Sequence, residues 1–152
     1  MLIMKSINWG KLIISLAIPQ LVGGLGALVT TPKISSWYLG LHKPFFSPPN
    51  WVFGPVWSLL FLLMGISLYL VWTKKKKLSS PIFNIFWLQL FLNLLWSVIF
   101  FGLEMPLLAL FEIVILWAAI WRMKKDFPLQ TPYLLWVSFA TLLNAGVWYL
   151  NR

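Results

Sequence analysis

Gln89, Asn93, Trp96 and Phe100 recur at intervals of four, three and four residues, a spacing that puts them on one face of a helix. Amides are costly in an apolar medium unless something hydrogen-bonds them. That face must therefore turn toward neighbouring helices or a cavity. Two readings stay open: hydrogen bonds that only tie helices together, or a polar wall beside an indole that recognises a ligand. A second stripe comprises Tyr133, Trp136, Ala140, Leu143 and Asn144. Its small residue among aromatics either leaves room for a flat ligand or lets helices approach closely.

Other reactive groups are sparse. Glu112 sits inside an apolar stretch, where a carboxyl is either a proton or cation site or a group paired within a bundle. No second acidic residue accompanies it to form a relay. The chain has no cysteine, which excludes disulfides, thiolate metal sites and cysteine nucleophiles. Its single histidine, His42, leaves a histidine-based metal site without partners, and neither a metal nor a resident cofactor is expected. No catalytic triad or paired carboxylates are visible.

The elements that must position these residues are membrane spans. Of 152 residues, 61% are hydrophobic and 10% charged, far too little charge for the surface of a soluble domain. Five apolar stretches run from Leu12 to Val29, Val52 to Trp72, Ile82 to Phe101, Leu107 to Trp121 and Pro132 to Leu150. About 20 apolar residues cross a hydrocarbon core as a helix. The fourth stretch reaches that length only with Met105 and a snorkelling Arg122 included. Open sheets cannot span lipid, and no barrel alternation is present. The expected fold is an all-α integral membrane protein, one domain over residues 1–152, built as a five-helix bundle. Lys5 and Lys11 precede the first stretch in the manner of a signal peptide, but no convincing small-residue cleavage site follows, so it is read as a retained helix.

The net charge of +9 does not indicate a nucleic-acid partner, because the basic residues flank apolar segments. Lys5, Lys11, Lys74 to Lys77, Arg122, Lys124 and Lys125, nine of twelve basic residues, fall on one side of a five-span topology. The positive-inside rule puts that side, with the N-terminus, in the cytoplasm of a bacterial cell membrane. Residues 31 to 50 join the first two spans. With Pro44, Pro48, Pro49, Trp37, Tyr38, Phe45 and Phe46, this long connection reads as an ordered cover over the outer end of the bundle.

The run Trp37-Tyr38-Leu39-Gly40-Leu41-His42-Lys43-Pro44, then Ser47-Pro48-Pro49-Asn50-Trp51-Val52-Phe53-Gly54-Pro55-Val56-Trp57, resembles the first-loop signature of the TspO/MBR family of tryptophan-rich sensory and translocator proteins. Further matches are Pro19 with Gly23-Gly24 and Gly26-Ala27, the Gln89, Asn93, Trp96, Phe100-Phe101 set, and Pro132 through Asn144. The fourth span matches least, with Leu108 where some members carry an aromatic residue.

The resemblance implies a five-helix bundle, commonly a homodimer, with a ligand cavity closed by the first loop. It implies binding of porphyrins such as protoporphyrin IX, and of flat isoquinoline and benzodiazepine drugs, by Ala27, Tyr38, Trp51, Phe53, Gln89, Asn93, Trp96, Trp136, Ala140 and Leu143. It also implies light-dependent porphyrin breakdown, with Trp51 and Trp136 near the reactive ring. Lys43 or His42 would meet a propionate unless they face water. The alternative function is a small proton-coupled exporter of hydrophobic compounds centred on Glu112. Trp9, Trp72, Trp87 and Trp121 suit an interfacial belt. The C-terminal Val147-Trp148-Tyr149-Leu150-Asn151-Arg152 satisfies a loose sterol-recognition pattern, which an aromatic belt ending in a basic residue also produces.

Overall fold

The computed structural model describes residues 6–74 and 77–152. Lys5, Lys75 and Lys76, used above to orient the chain, lie outside the described residues. Five long helices follow in order: α1 (Trp9–Ile34), α2 (Phe53–Lys74), α3 (Asn84–Ser97), α4 (Pro106–Met123) and α5 (Thr131–Leu150). No strand occurs among the described residues. With their flanking turns all five are long and apolar enough to cross a bilayer, so the chain is an all-helical membrane protein.

Local chemistry sets the helix ends. The Asn8 side chain caps α1 by accepting from the Lys11 backbone N–H at 3.0 Å, satisfying one of the free donors of the first turn. Pro106 and Pro132 stand in the first turns of α4 and α5, where an absent N–H forfeits no helical bond. α4 extends from Pro106 to Met123, 18 residues, and so gains at both ends what its apolar run lacked.

Two features differ from the sequence expectation. α1 continues past Val29 and through Pro32 to Ile34, so the connection to α2 occupies residues 35–52 and ends in a 3-10 turn, Asn50–Val52. Contacts on the last turns hold that extension: Lys33 pairs with Glu104, and Val29 packs against Gly102. The third span also does not finish as a regular helix. Val98–Gly102 form a wide π turn, closed by the Leu103 N–H donating to the Val98 carbonyl at 2.8 Å. Such a turn shifts the helical register of the residues beyond it, and here it brings Phe100 and Phe101 under the loop.

α1 changes partners along its length. Its lower half lies tightly on α2: a Cβ on Gly65 would stand 2.8 Å from Leu16 Cα and from the Ser15 carbonyl, so only glycine permits the approach. Its upper half leans on α3 and the π turn through Gly26 against Ser97, Val29 against Gly102, and the Lys33–Glu104 pair. α3 packs on α4, and α4 on α5, with the Trp117 indole donating to Ser138 Oγ at 2.8 Å. α2 faces α5 through aromatic pairs, Phe53 with Trp136 at 5.9 Å and Trp57 with Tyr133 at 6.1 Å.

The main core fills the basic end of the bundle, where Met64, Leu68, Phe83, Phe86, Ile120, Met123 and Phe127 are buried. A second cluster at the opposite end joins loop to helices: Tyr38 with Ile99, Phe100, Phe101, Ala109 and Val147. The loop is ordered by specific contacts. The Trp37 ring meets Phe100 edge-on at 5.6 Å, Pro44 lies against Gly146 of α5, and Phe46 packs on Phe139. The Asn151 side chain accepts from the His42 N–H at 3.0 Å and donates to the His42 carbonyl at 2.8 Å.

Candidate functional site

Between the two clusters lies a cavity of about 570 Å³. All five helices and the first loop contribute to its wall, and no charged side chain among the described residues lines it. α1 supplies small and hydroxyl side chains, Gly23, Gly24, Gly26, Ala27, Thr30 and Thr31; Tyr38 closes the loop end. α2 adds Phe53, Trp57 and Phe61 at four-residue spacing, preceded by Asn50 and Trp51. α3 and its π turn bring Asn93, Trp96, Ser97, Phe100 and Phe101; α4 brings Ile113 and Leu116; α5 brings Trp136, Val137, Ala140, Leu143, Asn144 and Val147.

The two amides on this wall are engaged in bonds between helices, while the buried Trp136 indole N–H has no partner. Asn93 Nδ2 donates to the Tyr133 hydroxyl at 2.9 Å. Trp96 Nε1 donates to Asn144 Oδ1 at 3.0 Å, and Asn144 Nδ2 donates to the Pro106 carbonyl at 2.8 Å. Both amides thus tie helices together while standing on the cavity wall. The Trp96 ring stacks on Phe100 with centroids 4.9 Å apart and planes 21° from parallel. An indole held by a hydrogen bond and a stacked neighbour presents a fixed apolar face. Burial pushes the Tyr38 phenol above its ordinary value of 10, partly offset by a hydrogen bond with Ser47.

Nine of the ten residues that the resemblance assigned to a ligand reach this wall: Ala27, Tyr38, Trp51, Phe53, Asn93, Trp96, Trp136, Ala140 and Leu143. Gln89 does not. It is fully buried one turn below Asn93, with Nε2 4.0 Å from Met64 Sδ and Oε1 unpartnered. The cavity ends at Asn93, so the helical stripe outruns it. Lys43 and His42 are also absent from the wall. The Lys43 ammonium stands 4.6 Å over the Tyr38 ring and donates to the Leu41 carbonyl, while His42 is exposed. Glu112 is buried off the wall, and neither carboxylate oxygen has a hydrogen-bond partner. The bundle therefore does not pair it.

Sequence reasoning passed over Trp57, Phe61, Ser97 and Gln20, all on the wall. The Phe53, Trp57, Phe61 spacing was a usable signal, since three aromatics at four-residue intervals mark one helix face. On α1 the resemblance had already assigned Ala27, but Thr30 and Thr31 carried no such signal. The wall offers aromatic faces and a few amides and hydroxyls, and no side-chain acid, base and nucleophile in register. That is the composition of a binding site for a largely apolar molecule.

Comparison with known proteins shows the family. The profile of the TspO/MBR family matches residues 15–150. The Tryptophan-rich protein TspO of Archaeoglobus fulgidus is 41% identical over 148 residues, covering 93% of this chain and 97% of the relative. The Tryptophan-rich protein TspO of Chlorobaculum tepidum is 43% identical over 141 residues, 84% of this chain and 88% of the relative. The human Translocator protein is 38% identical over 128 residues, 76% of this chain and 75% of the relative.

Proposed function

The chain belongs to the TspO/MBR family, and on that premise we propose that it is a membrane receptor for porphyrins, protoporphyrin IX among them, and for similar flat hydrophobic molecules. The observation that carries this reading is the cavity itself. Its volume of about 570 Å³ lies within the roughly 300–1,000 Å³ range of small-molecule sites. Trp57, Trp96, Phe100 and Trp136 line it and give a planar π-system faces to stack on. A porphyrin's apolar body suits this wall, and its carboxylates, finding no cation there, stay toward the open edge where Asn50 and Trp51 are exposed.

The test is a titration of the purified protein with protoporphyrin IX in the dark, followed by tryptophan fluorescence, with Trp51→Phe and Trp136→Phe alongside. Saturable quenching that weakens in the variants supports the receptor; its absence removes the tetrapyrrole function. Repeating the titration under light in air tests the degradative reading, in which the excited porphyrin supplies the oxidising chemistry. Loss of breakdown in a variant that still binds would mark that tryptophan as a participant.

In this reading the chain lies in the cell membrane with its N-terminus in the cytoplasm, an orientation supported by the basic residues gathered at one end, and acts as the homodimer that the family resemblance implies. The proton-coupled exporter reading rests on one observation, the buried and unpartnered Glu112 carboxyl. It predicts pH-dependent substrate flux in proteoliposomes that Glu112→Gln abolishes, and unchanged flux in that variant would eliminate it.

A further inference from the structure

Exposure around the cavity wall is one-sided. Gln20, Gly24, Ala27 and Thr31 of α1 are exposed, and so are Asn50 and Trp51, in the turn leading into α2, and Gly54 and Ser58 of α2. Every wall residue from α3, its π turn, α4 and α5 is buried or half-buried, and Tyr38 closes the loop end. Gln20, Gly24, Ala27 and Thr31 are spaced by four, three and four, and Trp51, Gly54 and Ser58 by three and four, so each set lies on one face of its span.

The two faces also oppose one another in register. Gln20 Nε2 donates to the Ser58 carbonyl at 3.1 Å, which fixes the antiparallel alignment of α1 and α2. Counting one turn from that bond sets Gly24 level with Gly54, and the next step sets Ala27 level with Trp51. Beside the bond Gly23 meets the Phe61 ring, and below it the helices touch at Gly65, on Leu16 and Ser15. Above it α1 leans toward α3, drawn by Gly26 on Ser97 and by Lys33 on Glu104. A Cβ added at Gly24 or Gly54 would meet nothing within 4 Å. The seam is therefore closed below and open above, with Trp51, 74% exposed, at its edge.

We propose that ligands pass between the bilayer and the cavity sideways, through a mouth between α1 and α2 whose floor is the Gln20–Ser58 bond. The class of ligand admitted is one that partitions into lipid before it binds. The mouth runs down two membrane-spanning helices from the outer end at Asn50 and Trp51, so below that end it opens onto acyl chains rather than water, and small residues on both rims leave a slot for a flat molecule. The loop, pinned through Pro44, Phe46 and His42, does not need to lift. This inference rests on the receptor reading and adds the route by which the site fills.

The chain has no cysteine, so an introduced thiol is the only one. Gly24→Cys and Gly54→Cys sit at the mouth; Gly40→Cys sits on the loop, where a Cβ also meets nothing within 4 Å. In full-length protein reconstituted in liposomes, Gly24→Cys should react with lipid-soluble pyrenyl maleimide about tenfold or more faster, relative to Gly40→Cys, than with a charged water-soluble methanethiosulfonate. Capping Gly24→Cys or Gly54→Cys with benzyl methanethiosulfonate should slow protoporphyrin IX association and dissociation together by about tenfold. Faster dissociation would mean that the cap only crowds the cavity wall and would overturn the route; reduction should restore both rates. Capping Gly40→Cys should leave them unchanged. Slowing by Gly40→Cys with none by Gly24→Cys would overturn the route in favour of the loop. Protection of Gly24→Cys by cross-linking to a second copy would overturn it too. Unmodified protein that binds no protoporphyrin would sink the receptor reading; normal binding with unaltered rates in capped Gly24→Cys would sink this inference alone.

Discussion

Replacing Asn151 with alanine should loosen the first loop without unfolding the bundle. The Asn151 amide holds both the N–H and the carbonyl of His42, at 3.0 and 2.8 Å, and also donates to the Val147 carbonyl at 2.7 Å. Only the two bonds to His42 cross from the C-terminus to the loop. Each intramolecular hydrogen bond contributes about 0.5–1.5 kcal/mol net, because water replaces it when it opens. His42 is exposed and will be hydrated promptly, so the lower half of that range applies and the pair contributes about 1–2 kcal/mol to docking. That corresponds to a roughly 5- to 30-fold larger population of undocked loop. Chymotrypsin reports it directly, since Phe45 is fully exposed at the loop tip and cleavage requires local opening. Cleavage in nanodiscs should accelerate by that factor in Asn151→Ala while the thermal midpoint moves little. Equal cleavage in the two proteins would show that Tyr38 on Phe100 and Phe101, with Pro44 on Gly146, holds the loop by itself, and the reasoning from the amide clamp would fail.

Three further outcomes are expected. Gly65→Val forces α1 away from α2 against backbone atoms, so stability should fall by about 1–3 kcal/mol, measured by unfolding in denaturing detergent; an unchanged midpoint would refute the close approach at Leu16. Glu112→Gln should not lower the thermal midpoint, because the carboxyl has no hydrogen-bond partner to lose; a clear drop would reveal a partner that this geometry lacks. Burial raises Tyr38 above 10, so the folded protein holds this proton more tightly than the unfolded chain. Its contribution to loop docking is constant below pH 10 and is lost as pH climbs through the raised value. Loop cleavage should therefore rise in strong alkali, and less so in Tyr38→Phe; identical pH profiles would exclude Tyr38 as the group responsible.

The sequence made the five spans legible because lipid imposes a length and a composition that few other structures share. It made the loop legible through prolines and aromatics that would be out of place in a disordered linker. The end of α1 was not legible: Thr30-Thr31-Pro32-Lys33 reads as a terminus, and contacts from Gly102 and Glu104, about seventy residues on, help hold it. The π turn at Val98–Gly102 has no signature in composition either. It decides which rings lie under Tyr38. Gln89 illustrates the limit of periodicity: spacing assigns a residue to a face but not to a depth, and the cavity stops one turn above it. The small residues of α1 carry no chemistry of their own, so apart from Ala27, which the resemblance assigned, their place on the wall emerged only with the path of α1 from α2 to α3.

The receptor reading places its ligand in the space between the Tyr38 cluster and the main core. Ala140 is buried on that wall between Trp136 and Leu143, and a phenylalanine there would project into the space a ligand needs. The decisive measurement is the dark titration of Ala140→Phe with protoporphyrin IX beside the unmodified chain, with a thermal melt of each. Affinity should weaken by about tenfold or more, equivalent to about 1.4 kcal/mol or more, with the melting midpoint retained or raised by the added packing. Unaltered affinity in a folded Ala140→Phe protein would contradict that placement and put the ligand elsewhere on the molecule.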